Sequence, residues 1–330
     1  MILVTGGAGF IGSALISYLN SLGITNIIVV DRWGQDEKWK NLRALQFEHF
    51  IPADELFTDH KHLLSQVTNI IHLGACSATT EKDMDYLWQN NVVYSQKLFR
   101  LAVQQECRFL YASSAATYGD GQQGYDDDHA LISQLRPLNA YGQSKQFFDL
   151  WALRQKRHPK RWYGVKFFNV YGANEYHKEG MVSVPYQAFH QVKNTGKMRL
   201  FQSHRKDICE DGEQKRDFIY VKDAVKMIWS LVTRCDKSSS GIYNIGTGQA
   251  RSFNDLGKAV FKAMNQPVQI EYIETPVSIR NQYQYFTQAK MEKWHQLFPD
   301  WTLTSLEDGI DDYVTNYLMK ENSYFDQRTF

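Results

Sequence analysis

Residues 2–31 read ILVTGGAGFIGSALISYLNSLGITNIIVVD, and the fold follows from them. An apolar run, Ile2–Thr5, goes straight into Gly6-Gly7-Ala8-Gly9-Phe10-Ile11-Gly12. Ile11, Leu15, Ile16 and Leu19 then recur at helical spacing, and a second β-branched run, Ile27–Val30, ends at Asp31. Strand, glycine turn, helix and strand within about thirty residues form a βαβ unit. Gly7, Gly9 and Gly12 satisfy G-x-G-x-x-G: the first permits the tight turn, the second lets a pyrophosphate approach the backbone, and the third lets helix and strand pack closely. The helix N-terminus offers free N–H groups to phosphate oxygens. Asp31 stands where a carboxylate hydrogen-bonds an adenosine ribose, which favours NAD. Arg32 and Lys38 are the cations that would pair with a 2′-phosphate, which favours NADP.

Outward from this unit, strand-like runs recur at Asn69–Leu73, Phe109–Ser113 and Val165–Val170, with helical segments such as Asn91–Gln105 and Tyr141–Arg154 between them. The alternation predicts an α/β fold: a Rossmann-type, doubly wound parallel sheet covered on both faces. After about residue 170 the pattern loosens. Strand-like Asp217–Val221, Gly241–Ile245 and Val268–Ile273 alternate with helical Lys222–Thr233 and Ser252–Met264, separated by polar stretches. The reading is a dinucleotide domain over 1–170 and a smaller α/β substrate domain mainly over 171–330, with about 217–248 returning to the first. Gln202–Lys215, rich in mixed charge, reads as a surface excursion.

Composition narrows the function classes. With 37 Lys+Arg against 36 Asp+Glu, the net charge of +1 disfavours a polynucleotide groove, and 43% hydrophobic content disfavours disorder. The apolar run at the N-terminus has no charged region before it, and no apolar stretch is long enough to span a bilayer, so neither signal peptide nor membrane association is expected. Cys76, Cys107, Cys209 and Cys235 form no C-x-x-C pair and suit no metal site, and they read as reduced thiols in the cytosol.

A second constellation carries chemistry. Tyr141-Gly-Gln-Ser-Lys145 puts Tyr and Lys on one helical face, downstream of a strand ending in Ser113-Ser114. Removing the proton of an alcohol as hydride departs requires a base, and an unperturbed tyrosine is too weak at a pKa of about 10. A lysine one turn away is expected to lower that pKa and to hold the nicotinamide ribose, while a serine at the strand end hydrogen-bonds the reacting oxygen.

Thr5–Gly12, FLYASSAATYG (Phe109–Gly119) and Tyr141-x-x-x-Lys145 resemble the extended short-chain dehydrogenase/reductase family. Further matches run in order along the chain: GACSATTE (Gly74–Glu81), PLNAYGQSK (Pro137–Lys145), FFNVYG (Phe167–Gly172), HKEGM (His177–Met181), KRDFIYV (Lys215–Val221), GIYNIGTG (Gly241–Gly248) and QYQYFTQA (Gln282–Ala289). GACS-x-TTE and the His-Lys pair are similar to the branch of that family that epimerises C6″ of an ADP-bound heptose for the lipopolysaccharide inner core. That resemblance implies an isomerase using tightly bound NADP, with NAD as the alternative, in a cytoplasmic homo-oligomer, a pentamer in the family. It implies cofactor contacts from Gly6, Gly9, Phe10, Ile11, Gly12, Asp31, Arg32, Lys38, Leu73, Gly74, Ala75, Cys76, Ser77, Asn90, Lys145, Val170 and Lys178. Ser114, Tyr141, Lys145 and Lys178 would be catalytic, with Lys178 a second acid/base. Ser114, Asn169, Gly180, Gln187, Phe201, Arg216 and Tyr283 would meet the nucleotide-sugar. Beside another nucleotide-sugar epimerase of the same fold, two other readings share the motifs: a nucleotide-sugar 4,6-dehydratase and a non-catalytic dinucleotide-binding protein. Ala115-Ala116 after Ser114 counts against the first, because elimination needs an acid/base pair there, and the retained Tyr141/Lys145 pair counts against the second.

Overall fold

The computed structural model describes residues 1–234, 240–280, 283–320 and 323–330, so Cys235 and Gln282 lie outside the described residues. The strands are β1 (Ile2–Thr5), β2 (Ile27–Asp31), β3 (His49–Pro52), β4 (Asn69–His72), β5 (Arg108–Ser114), β6 (Arg161–Phe167), β7 (Asn169–Tyr171), β8 (Met198–Phe201), β9 (Lys215–Tyr220), β10 (Gly241–Ile245), β11 (Ala250–Ser252) and β12 (Ile270–Ile273). Seven of them form one sheet in the order β10-β6-β5-β4-β1-β2-β3, with every neighbouring pair parallel. The strand order reverses between β1 and β4, which opens the crevice where ligands of such sheets bind.

The hydrophobic runs explain the sheet. Leu3, Val4, Ile28, Val29, Ile70 and Ile71 are buried as neighbours in register, Leu3 opposite both Ile28 and Ile70. Parallel strands need apolar side chains on both faces, because helices cover both. Helix Phe10–Ser21 packs on helix Val221–Thr233, so the later chain returns to the sheet with that helix and β10. β9 departs from the expected return. It lies in a small sheet, antiparallel to β11 and parallel to β7. The run read as one strand over 165–170 is likewise divided, since β6 ends at Phe167 and β7 belongs to the small sheet. Phe168 sits at the crossing, its N–H donating to the Ile245 carbonyl at 3.0 Å. β8 and β12 pair in parallel as a third sheet. Gln202–Gln214 runs between β8 and β9 as a polar loop pinned by the Ser203 N–H on Asp211 at 2.7 Å. Among the described residues no helix is long and apolar enough to cross a membrane.

Candidate active site

A cavity of about 1020 Å³ opens at the carboxyl ends of β1, β2, β4 and β5. Its first wall is the glycine turn. Gly6 takes φ +68°, and a Cβ there would lie 2.5 Å from the Gly74 nitrogen. A Cβ on Gly12 would lie 2.1 Å from the Gly6 carbonyl oxygen. No side chain caps the following helix at Gly9, so its first N–H groups stay available to a ligand. Asp31 holds the turn from below, with Oδ2 accepting from the Ala8 N–H at 2.9 Å and Oδ1 from Lys38 Nζ at 3.1 Å. This cradle and its uncapped helix fit a dinucleotide pyrophosphate, and the residues that would hold it are Gly6, Gly9, Phe10, Ile11, Gly12, Asp31 and Lys38, all in the cavity wall.

The second wall is the loop after β4: Leu73, Gly74, Ala75, Cys76 and Ser77. Asn91, buried beneath it, clamps the loop, its Oδ1 accepting from Cys76 N–H at 2.9 Å and its Nδ2 donating to the Cys76 carbonyl at 3.0 Å. His72 lies deeper, 2.6 Å from Thr5 Oγ1 and 2.8 Å from Ser95 Oγ. Burial, reinforced by the Lys145 charge, pushes its imidazole down to about 3, so it stays neutral at physiological pH. Asn91 and His72 were not singled out from the sequence, where a polar residue within a helical or strand pattern gives no sign of what it holds.

The third wall carries Ser114, Tyr141 and Lys145. Asn139 caps helix Ala140–Leu153 by accepting from the Gly142 N–H at 2.8 Å, so Tyr141 and Lys145 stand in the first turns. Burial pushes the Tyr141 phenol above its ordinary value, and a hydrogen bond with Ser114 works against that shift. Burial pushes the Lys145 ammonium down to about 8, with Asp149 opposing. The expected depression of the phenol by Lys145 is not achieved by the protein alone. Lys145 Nζ lies 6.0 Å from the Tyr141 ring centroid and donates to the Ala112 carbonyl at 2.9 Å. Below them a fully buried ion pair, Lys166 Nζ to Asp149 Oδ2 at 2.7 Å, also takes the hydroxyls of Ser113 and Tyr111.

The fourth wall is Asn169, Val170 and the segment around Lys178. Lys178 Nζ sits 5.4 Å from the Phe10 ring centroid, and burial lowers its pKa against the pull of Glu175. Glu175, itself buried, fastens this segment by accepting from the Ser183 N–H and hydroxyl at 2.5 Å each and from Tyr313 at 3.0 Å. Glu179, next to Lys178, is held at φ 45° and ψ −120°, a strained conformation for a residue with a Cβ.

Seven of the site residues implied by the resemblance stand outside the cavity wall. Gly180, after Lys178, and Gln187, on helix Val184–Thr195, are exposed, and Met181, Ser183 and Pro185 line the cavity instead. Arg32 and Asn90 are joined to each other at the rim, with Arg32 Nη1 donating to Asn90 Oδ1 at 2.8 Å. Phe201, Arg216 and Tyr283 form a separate corner. The Arg216 guanidinium lies 5.6 Å from the Tyr283 ring and 5.6 Å from Phe253, and Phe201 is 6.3 Å from Tyr283. The corner reaches the cavity through β9, where Phe218, two residues beyond Arg216, lines the wall opposite Asn169 in register. Among the described residues no group of three His, Cys, Asp or Glu side chains is placed to hold a metal ion.

This sheet, glycine turn and Ser-Tyr-Lys wall define a dinucleotide-dependent member of the short-chain class, and the model of the NAD dependent epimerase/dehydratase family matches residues 2–246. Similarity extends over the whole chain. The ADP-L-glycero-D-manno-heptose-6-epimerase of Fusobacterium nucleatum is 45% identical over 98% of this chain and 100% of its own length. Its namesake in Nitratidesulfovibrio vulgaris is 49% identical over 96% and 98%. A crystal structure of the Helicobacter pylori ADP-L-glycero-D-manno-heptose-6-epimerase superposes with a TM-score of 0.78 at 26% identity, covering 96% of this chain and 95% of that one. The chain belongs to the NAD dependent epimerase/dehydratase family and, within it, to the ADP-L-glycero-D-manno-heptose-6-epimerases, which are isomerases.

Proposed function

We propose that this chain inverts C6″ of ADP-D-glycero-manno-heptose to give the L-glycero epimer, through a transient ketone, for the heptose of the lipopolysaccharide inner core. The observation that carries the reading is the meeting, in one cavity, of two proton-transfer groups from separate segments: Tyr141 with its Ser114 hydrogen bond, and Lys178. A nicotinamide dinucleotide held against the glycine turn by Gly6, Gly9, Phe10, Ile11, Gly12 and Asp31 would supply the reversible hydride exchange with the sugar carbon. Tyr141 takes the hydroxyl proton, and Ser114 holds the oxygen during transfer. Lys145 supplies positive charge beside the phenol and would hold the nicotinamide ribose. When the ketone turns over in the cavity its oxygen leaves Tyr141, and Lys178, whose pKa burial lowers from its ordinary value, gives and takes the proton on the other side.

The Phe201–Arg216–Tyr283 corner supports a nucleotide-sugar reading, offering aromatic faces and a guanidinium to an anionic nucleotide. Elimination by a dehydratase route is disfavoured, because Ser114 Oγ is followed by Ala115 and Ala116 and accepts only a backbone N–H there, at 3.1 Å. The dinucleotide is NADP in the family resemblance, which Arg32 and Lys38 support, although Asp54 and Asp31 already hold both cations. A cytoplasmic homo-oligomer, a pentamer by that resemblance, belongs to the same proposal. The test is proton NMR of the C6″ signal with purified protein and no added reductant. Each epimer is expected to convert to a common mixture, and persistence of both unchanged overturns the reading.

A further inference from the structure

Two cations stand at the end of β2, and each is already engaged. Lys38 is held by Asp31, as described above. Arg32 is held more completely: Nη2 donates to Asp54 Oδ1 at 2.6 Å, Nε to Asp54 Oδ2 at 3.1 Å, and Nη1 to Asn90 Oδ1 at 2.8 Å. The topology brings Asp54 there. Edge strand β3 ends beside β2, with Pro52 in register with Asp31 and the Ala53 N–H donating to the Asp31 carbonyl at 3.0 Å. The next residue is Asp54, whose side chain is 73% exposed.

An arginine recognises a ribose 2′-phosphate by presenting two parallel N–H groups to two oxygens. In this chain the Nε/Nη2 edge that would do so is spent on the Asp54 carboxylate. A ribose with a free 2′-hydroxyl needs only the Asp31 acceptor and is indifferent to the state of Arg32. We infer that Asp54 tunes this chain's selectivity between NADP and NAD, by competing with the 2′-phosphate for Arg32. The inference rests on the cavity being the dinucleotide site. The pair is exposed, so the competition is graded and does not amount to a block.

The test uses holoenzyme equilibrated with an equimolar mixture of NADP and NAD, washed, and denatured to release what it holds. In Asp54→Ala and Asp54→Asn the released NADP:NAD ratio is expected to rise about three- to tenfold over the unaltered chain. Arg32→Ala is expected to lower the ratio, and adding Asp54→Ala to it is expected to change nothing further, because the carboxylate acts through the arginine. An unchanged ratio in Asp54→Ala, or an equal rise with and without Arg32, overturns the inference. Release of no dinucleotide from any of these proteins overturns the dinucleotide reading itself, and that result is distinct from an unchanged ratio.

Discussion

The glycine-turn wall of the cavity comes from one short stretch, Gly6–Asp31, whereas the corner at Arg216 is gathered from β8, β9 and the segment at Tyr283. In the wall, position is enforced by repulsion at short range. Gly6 and Gly12 stand where any Cβ would strike backbone. In the corner, position comes from attraction, a guanidinium among aromatic rings at more than 5 Å that also donates to the Lys215 carbonyl at 2.9 Å and to the Gln284 carbonyl. Steep repulsion admits almost no substitution, while shallow attraction gives way by degrees. Changes in the wall should therefore abolish a property, and changes in the corner should dilute one.

The largest effect is expected from Gly12→Ala. The new methyl would stand 2.1 Å from the Gly6 carbonyl oxygen, backbone against backbone, so the turn must open. Displacement of this size costs upwards of about 3 kcal/mol, which weakens dinucleotide binding on the order of a hundredfold. The check is the dinucleotide released on denaturation, with a thermal melt run beside it to register any loss of fold. Wild-type dinucleotide content in Gly12→Ala would show that the close approach at this glycine is not needed.

The same contrast explains what could be read from the sequence. The βαβ unit, the parallel sheet and the Tyr141/Lys145 face are local, and their spacing carries them. Lys178 was reached only through resemblance, because a lysine in a polar run has no pattern of its own. Its setting depends on Glu175, Ser183 and Tyr313, the last far along the chain. β3 was missed because His49-Phe-Ile-Pro52 is short and ends in proline, which an edge strand tolerates. The division at Phe168 was missed because both halves are apolar and the change of sheet is decided by β9 and β10. Gly180 and Gln187 were placed at the substrate by resemblance alone, and both are exposed, Gly180 in the turn after Glu179 and Gln187 on helix Val184–Thr195.

Lys178→Ala tests a residue of intermediate kind, mounted on a loop yet fastened by a buried carboxylate. Turnover is expected to fall about 10²- to 10⁴-fold, the range for loss of a positioned acid/base group, while dinucleotide stays bound. Rate and released dinucleotide are measured on the same preparation. A wild-type rate would leave Tyr141 as the only base and remove the two-sided mechanism.

The smallest effect is expected in the corner. Arg216→Ala takes a buried guanidinium away from two aromatic faces, and Tyr283→Leu takes away one of those faces. Contacts of this kind are worth about 0.5–2 kcal/mol, so each change is expected to raise KM for the nucleotide-sugar by about two- to thirtyfold. Because the corner stands outside the cavity wall that carries Ser114, Tyr141 and Lys178, kcat is expected to stay near its original value, the signature of an interaction made equally in ground and transition states. Steady-state kinetics with saturating dinucleotide separates the two parameters. A fall in kcat at unchanged KM would mean that Arg216 acts on the chemical step, and the contrast between the glycine-turn wall and the Arg216 corner would have to be redrawn.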